Sequence, residues 1–147
     1  MGQMRKRGAI LGGGLALLAT IIILTQSYGI SDIAHEAIKL QLQLIGSSIY
    51  EYHDKTGRWP TRVEDLERTS LPQRSPHWRE LIEIGTNVIV WNADLKPDPK
   101  DNAGRVLAYH NKGLLAWMGR QWVCRGDLRL EYIRSKDLKA LLKSERK

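Results

Sequence analysis

Between Arg7 and Asp32 the chain runs for 24 residues without a charged side chain, and residues 9–24 are nearly all apolar or glycine. At the helical rise per residue this stretch reaches about 36 Å, enough to cross a hydrocarbon core of about 30 Å. The remainder of the chain must therefore be either a domain hung on a membrane helix or one released from a signal. Arg5, Lys6 and Arg7 stand before the stretch, so the positive-inside rule keeps the start in the cytoplasm and exports everything after Ser31. The reading is a basic leader at 1–7, a single transmembrane helix at 8–30 in the inner (cytoplasmic) membrane, and a periplasmic or extracellular domain at 31–147. A cleaved secretory signal is the rival, because Thr25, Gln26 and Ser27 offer small residues where a signal peptidase reads. The apolar run is long for a signal, and the pattern beyond it favours a retained anchor.

From Ser31 to Asp54 no proline interrupts the chain, and apolar residues recur at helical intervals. With Ile38 as zero, Leu42, Ile45, Ile49 and Tyr52 fall within about 40° of it, which makes one continuous stripe. Ile33, Ala37, Leu40 and Leu44 fall between about 200° and 260° and form a second stripe nearly opposite. The first is expected to lie on a sheet of the same chain. The second either dips toward lipid headgroups, meets a loop of the same domain, or packs laterally against other helices, homo-oligomeric or otherwise. A helix of about 45 residues running from the membrane into the domain would be close to 70 Å long, a length suited to bundling.

The helix reads as ending in "IYEYHDKTGRWPT", residues 49–61. Gly57 can take the left-handed conformation that closes a helix, Pro60 prevents its immediate resumption, and Thr61 can cap a following turn with Glu64 three residues on. The wider segment "AIKLQLQLIGSSIYEYHDKTGRWPTRVEDL", residues 37–66, carries Tyr50, Asp54, Gly57, Trp59, Pro60, Thr61 and Leu66 in an order that resembles the end of the N-terminal helix in type IV pilin-like proteins, the major pseudopilin of type II secretion above all. The resemblance covers about a fifth of the chain. It implies a pilin-like fold, assembly through the N-terminal helix, and leader cleavage between Gly8 and Ala9. Ala9 stands where that family usually has Phe, and Gly13 where it has Glu.

Beyond residue 61 a connecting region with one short helix near His77 leads to four runs of β-branched and aromatic residues: "NVIVWNADL", "RVLAYHNKGLLAWM", "RQWVC" and "RLEYI". Gly119 with Arg120, and residues 125–127, read as tight turns, so the strands form an antiparallel meander. Ser135 can cap a short last helix with Leu138, Leu141 and Leu142 on one face. The fold class is α+β: a long N-terminal membrane-spanning helix packed on a small antiparallel sheet, pilin-like, with a short C-terminal helix. With no phenylalanine in the chain, Trp78, Trp91, Trp117 and Trp122 are read chiefly as core, with a sugar-binding platform as the alternative.

Reactive chemistry is sparse. Cys124 is the only cysteine, which excludes an intrachain disulfide or a multi-cysteine zinc site and leaves a small buried hydrophobe as its reading. His35, His53, His77 and His110 are scattered and match no metal-protease spacing. Arg125, Gly126 and Asp127 form an adhesive tripeptide that a turn explains equally well. In "DLKPDPKDNAGR" the oxygen ligands Asp94, Asp98, Asp101 and Asn102 invite calcium, and the resemblance makes such a site relevant, while Lys96, Lys100 and Arg105 offset the charge. No cofactor beyond that calcium is expected. The formal charge is +7; without the three residues of the basic leader it is +4, too diffuse for a nucleic-acid footprint. The function read from these features is structural rather than enzymatic: a membrane-anchored pilin- or pseudopilin-like subunit of a type II secretion or type IV pilus-like system. The alternative is an anchored or secreted binding module for a glycan, cation or protein.

Overall fold

The structure, a computed structural model, describes residues 8–91, 94–111 and 119–145, with side chains from Asp32 onward. The leader at 1–7 lies outside the described residues, as do the side chains of 8–30 that were expected to face lipid. Among the described residues no helix is long and apolar enough to cross a membrane. Helix α1 runs Gly8–Thr56, and the chain divides into two compact units, Met1–Ala37 and Ile38–Lys147.

The second unit is α+β. After α1 come a 3-10 turn at Val63–Arg68, helices α2 (Leu71–Arg74) and α3 (Trp78–Glu83), and strands β1 (Asn87–Ile89), β2 (Val106–His110), β3 (Arg120–Arg125) and β4 (Leu130–Arg134), followed by α4 (Ser135–Ser144). The strands pair antiparallel in the order β1-β2-β3-β4, the expected meander. A bulge falls between Val106 and Ala108, so Leu107 and Ala108 both join the cluster that holds α1 while Val106 joins the opposite one. The sheet is covered on both faces. Leu42, Ile45 and Ile49 of α1 cluster with Leu107, Ala108 and Cys124, while Leu138 of α4 clusters with Val106 and Val123.

At Gly46 α1 approaches the sheet closely. A Cβ built there would sit 2.7 Å from Cys124 Sγ, 3.1 Å from Leu128 Cδ2 and 3.5 Å from Leu107 Cδ1. Any larger residue would wedge the helix off the strands. From Leu44 to Tyr52 burial reaches well round the helix: Leu44, Ser48, Gly46 and Tyr50 are all buried, and they lie about 120° and 80° to either side of Ile38. A surface helix needs a narrower stripe, so this portion is a core spine.

Two polar ties fix the spine. The Tyr50 hydroxyl donates to Gly126 O at 2.5 Å in the β3–β4 turn and accepts from Asn102 Nδ2 at 2.8 Å. Burial raises the Tyr50 pKa, which keeps this hydroxyl a donor. On the other flank the Glu51 carboxylate accepts from Ser70 N (2.9 and 3.0 Å), Ser70 Oγ (2.7 Å) and Lys55 Nζ (2.7 Å). Burial alone would push the Glu51 pKa up, but these donors outweigh it and hold it at about 2. Because the folded value lies below the ordinary 4.5, the stabilisation is complete above pH 4.5 and is lost as pH falls towards 2. With solvent screening allowed for, Glu51→Gln is expected to cost about 1–2 kcal/mol at pH 7. Urea unfolding of both proteins between pH 7 and pH 2 should show this gap closing below pH 4.5; a gap independent of pH would contradict the charge-based account.

The helix end obeys the expected chemistry: Gly57 has φ +69° and its N–H donates to His53 O at 2.7 Å. The next turn differs from expectation. Arg62 rather than Thr61 is its cap, and Asp65 rather than Glu64 folds back, accepting from Thr61 N at 2.9 Å and Arg62 N at 3.3 Å. Ser135 likewise opens α4 as its first residue, behind an Arg134 cap.

Candidate functional site

Of the expected helix-to-sheet stripe, Leu42, Ile45 and Ile49 are buried in the cluster that includes Leu107, Ala108 and Cys124, and Ile38 is half-buried at its edge. Tyr52 is buried but lies outside that cluster, beside Asp65 of the following turn. The second stripe divides. In the first unit Ile33 is 72% exposed and Ala37 is exposed; in the second unit Leu40 is 57% exposed, but Leu44 is only 6% exposed and belongs to the core.

Leu44 therefore does not face a neighbour, which corrects the expected assembly face. The cause is the region beyond residue 61 that the sequence marks as a connection with one short helix near His77. Leu66, Leu71 and Trp78 from that connection join the cluster containing Leu44. Glu51, on nearly the same line of the helix, is clasped by Ser70. The back of α1 is thus open at Leu40 and closed one turn later.

Of the expected cleavage pair, Gly8 is the first residue of α1, and the side chain of Ala9 lies outside the described residues. The residues gathered for calcium are separated by role. Asp94, Asp98 and Asp101 are exposed, and Asp98 Oδ1 accepts from Lys100 N at 2.9 Å, capping the 3-10 turn Pro99–Asn102. Asn102 is buried inside the loop: its Oδ1 accepts from Lys96 N at 2.9 Å, and its Nδ2 donates to Lys96 O at 2.7 Å and to the Tyr50 hydroxyl. That carboxamide holds the loop against α1. Among the described residues no group of three or more His, Cys, Asp or Glu side chains is placed to hold a metal.

Cys124 is buried on the sheet, and burial pushes its thiol up to about 12, so it stays protonated and unreactive at neutral pH. The Arg125-Gly126-Asp127 tripeptide forms the β3–β4 turn, closed by Leu128 N donating to Arg125 O at 2.9 Å, with Leu128 in the left-handed region at φ 65°. Gly126 is required here, because a Cβ would fall 2.2 Å from Asn102 O. Of the four tryptophans placed in the domain, Trp78 is buried, Trp122 packs against the α1 cluster, Trp91 is exposed beside β1, and Trp117 lies outside the described residues. Lys39 Nζ sits 5.2 Å from the Trp122 ring, so a cation covers that indole rather than a sugar platform.

Spacing alone does not mark Gly46, Tyr50 and Glu51 as structural keys. A glycine inside a strong helical pattern is the one signal that points to the first, since it costs about 1 kcal/mol against alanine and marks a close approach. Comparison with protein-family models, with characterised proteins and with solved structures finds no match.

Proposed function

We propose that this chain is a membrane-anchored, pilin- or pseudopilin-like structural subunit that assembles through its N-terminal helix, in a machine of the type II secretion or type IV pilus kind. The observation that carries the reading is the double use of α1. From Leu42 onward it is the core spine of a four-stranded antiparallel domain, whereas Ile33 and Leu40 are large aliphatic side chains left in solvent. Covering one such side chain contributes about 1.5–3 kcal/mol, and several per copy add up over an assembly. The uncharged stretch after the basic leader supports an inner-membrane anchor with the domain outside the cytoplasm. On this reading, assembly and not catalysis is the activity. Its surface is Ile33, Ala37 and Leu40; Leu44 belongs to the fold.

The test is disulfide cross-linking in membranes between copies carrying cysteine at Ile33, Ala37 or Leu40. Cross-linked species are expected from these three positions and not from the buried Ser48. Absence of cross-links at all three, with the protein at its normal level in the membrane, would contradict the reading. Sequencing the mature N-terminus alongside would separate pilin-type processing, starting at Ala9, from a signal cut near Tyr28 or an uncut anchor.

A further inference from the structure

We infer that the cavity beyond the C-terminal end of α1 is a binding site for a small phosphate monoester, a role independent of assembly. The cavity is about 360 Å³, within the range of small-molecule sites, and its walls include Tyr52, Arg58, Trp59, Arg62, Asp65 and Arg68. The lining residues include three arginines and one aspartate, a formal balance of +2. Asp65 does little to offset Arg58 and Arg68, because it is occupied elsewhere: it accepts from Thr61 N and Arg62 N, and its Oδ1 lies 3.6 Å from Arg62 Nε. Among the described residues neither Arg58 nor Arg68 forms an ion pair through its side chain.

The wall is built before any ligand arrives. The Trp59 ring is stacked on His53 with centroids 4.0 Å apart and planes 18° apart, and it meets Tyr50 edge-on at 5.4 Å. Gly57 in its left-handed turn and the buried Pro60 fix the backbone on either side of the Arg58-Trp59 pair. The aromatic wall therefore loses little ordering entropy on binding, and the cost falls on the exposed Arg58 and Arg68 side chains.

Charge and shape select the ligand. A phosphate monoester carries about −1.5 to −2 at pH 7, which matches two unpaired arginines, and the guanidinium fork engages phosphate oxygens in pairs. A monocarboxylate would leave one arginine unmatched. The half-buried Trp59 on the wall supplies an aromatic surface for an organic body attached to the phosphate, so an ester should bind more tightly than inorganic phosphate.

The experiment titrates the full chain, in an uncharged detergent, with phenyl phosphate, inorganic phosphate and sodium chloride at matched ionic strength. It tracks the NMR signals of the Trp59 indole and the arginine Nε groups. Saturable shifts at Trp59, Arg58 and Arg68 are expected with phenyl phosphate, weaker binding with inorganic phosphate, and no saturation with chloride. Losing two charge-assisted contacts in Arg58→Gln/Arg68→Gln should weaken phenyl phosphate binding by about tenfold or more. Both positions are exposed, so the unfolding midpoint should hold, and Arg58→Gln alone provides a milder variant expected to show a smaller loss in the same direction. Shifts no different from those with chloride, or full affinity in the double variant, would overturn the proposal.

Discussion

Gly46→Val is expected to destabilise the domain by about 2–4 kcal/mol, despite replacing the poorest non-proline helix former in the middle of a helix. On an isolated helix the change would help by a few tenths of a kcal/mol, since glycine costs more backbone entropy than valine does side-chain entropy. Tertiary packing reverses the sign. The first added carbon would lie 2.7 Å from Cys124 Sγ and 3.1 Å from Leu128 Cδ2, and a sulfur held on a central strand cannot swing aside as the tip of a lysine can. The helix must lift, opening its contacts with Leu107 and Leu128. Cys124→Ala removes the nearest atom, so Gly46→Val should cost about 1–2 kcal/mol less in that background than in the wild type. Urea unfolding of the four proteins measures the coupling. Independent effects would mean that the helix does not approach the sheet at this glycine.

Elements written in local periodicity were legible in the sequence. The stripe of Leu42, Ile45 and Ile49 is a helical repeat, "RQWVC" and "RLEYI" are short runs of β-branched and aromatic residues, and Leu138 with Leu141 and Leu142 marks one face of a last helix; each occupies the expected element. The meander was signalled by the short turns around Gly119 and Gly126. The features that could not be read depend on partners far along the chain. Asn102 looks like one oxygen ligand among several until its amide meets Tyr50, 52 positions away. Leu44 looks equivalent to Leu40 by spacing, and only the connection after residue 61 separates them. That connection is built from short pieces such as Leu71–Arg74 and Trp78–Glu83, too brief to show a period of 3.6 residues. The cavity at Arg58 and Arg68 was hidden for a similar reason: the two arginines are ten positions apart, and the turn that gathers them uses Asp65 where Glu64 was expected.

The second large effect concerns that divided stripe. Leu44→Asp buries a carboxylate in an apolar cluster with Leu66, Leu71 and Trp78, and is expected to cost about 4 kcal/mol or more, a large part of the stability of a small domain. Leu40→Asp makes the same chemical change one helical turn earlier. It sits on a side chain already 57% exposed, and should cost within about 1 kcal/mol, chiefly helix propensity and a little lost packing. The same carboxylate at Leu40 would nevertheless repel an apolar partner helix, so that variant should keep the fold while losing the cross-links predicted above. Between these two leucines α1 passes from a helix with an open apolar face to a core spine. The most direct measurement is the urea midpoint of Leu40→Asp and Leu44→Asp, side by side in one uncharged detergent. A midpoint close to wild type for the first and a collapsed one for the second is the predicted result; equal midpoints, both high or both low, would contradict it.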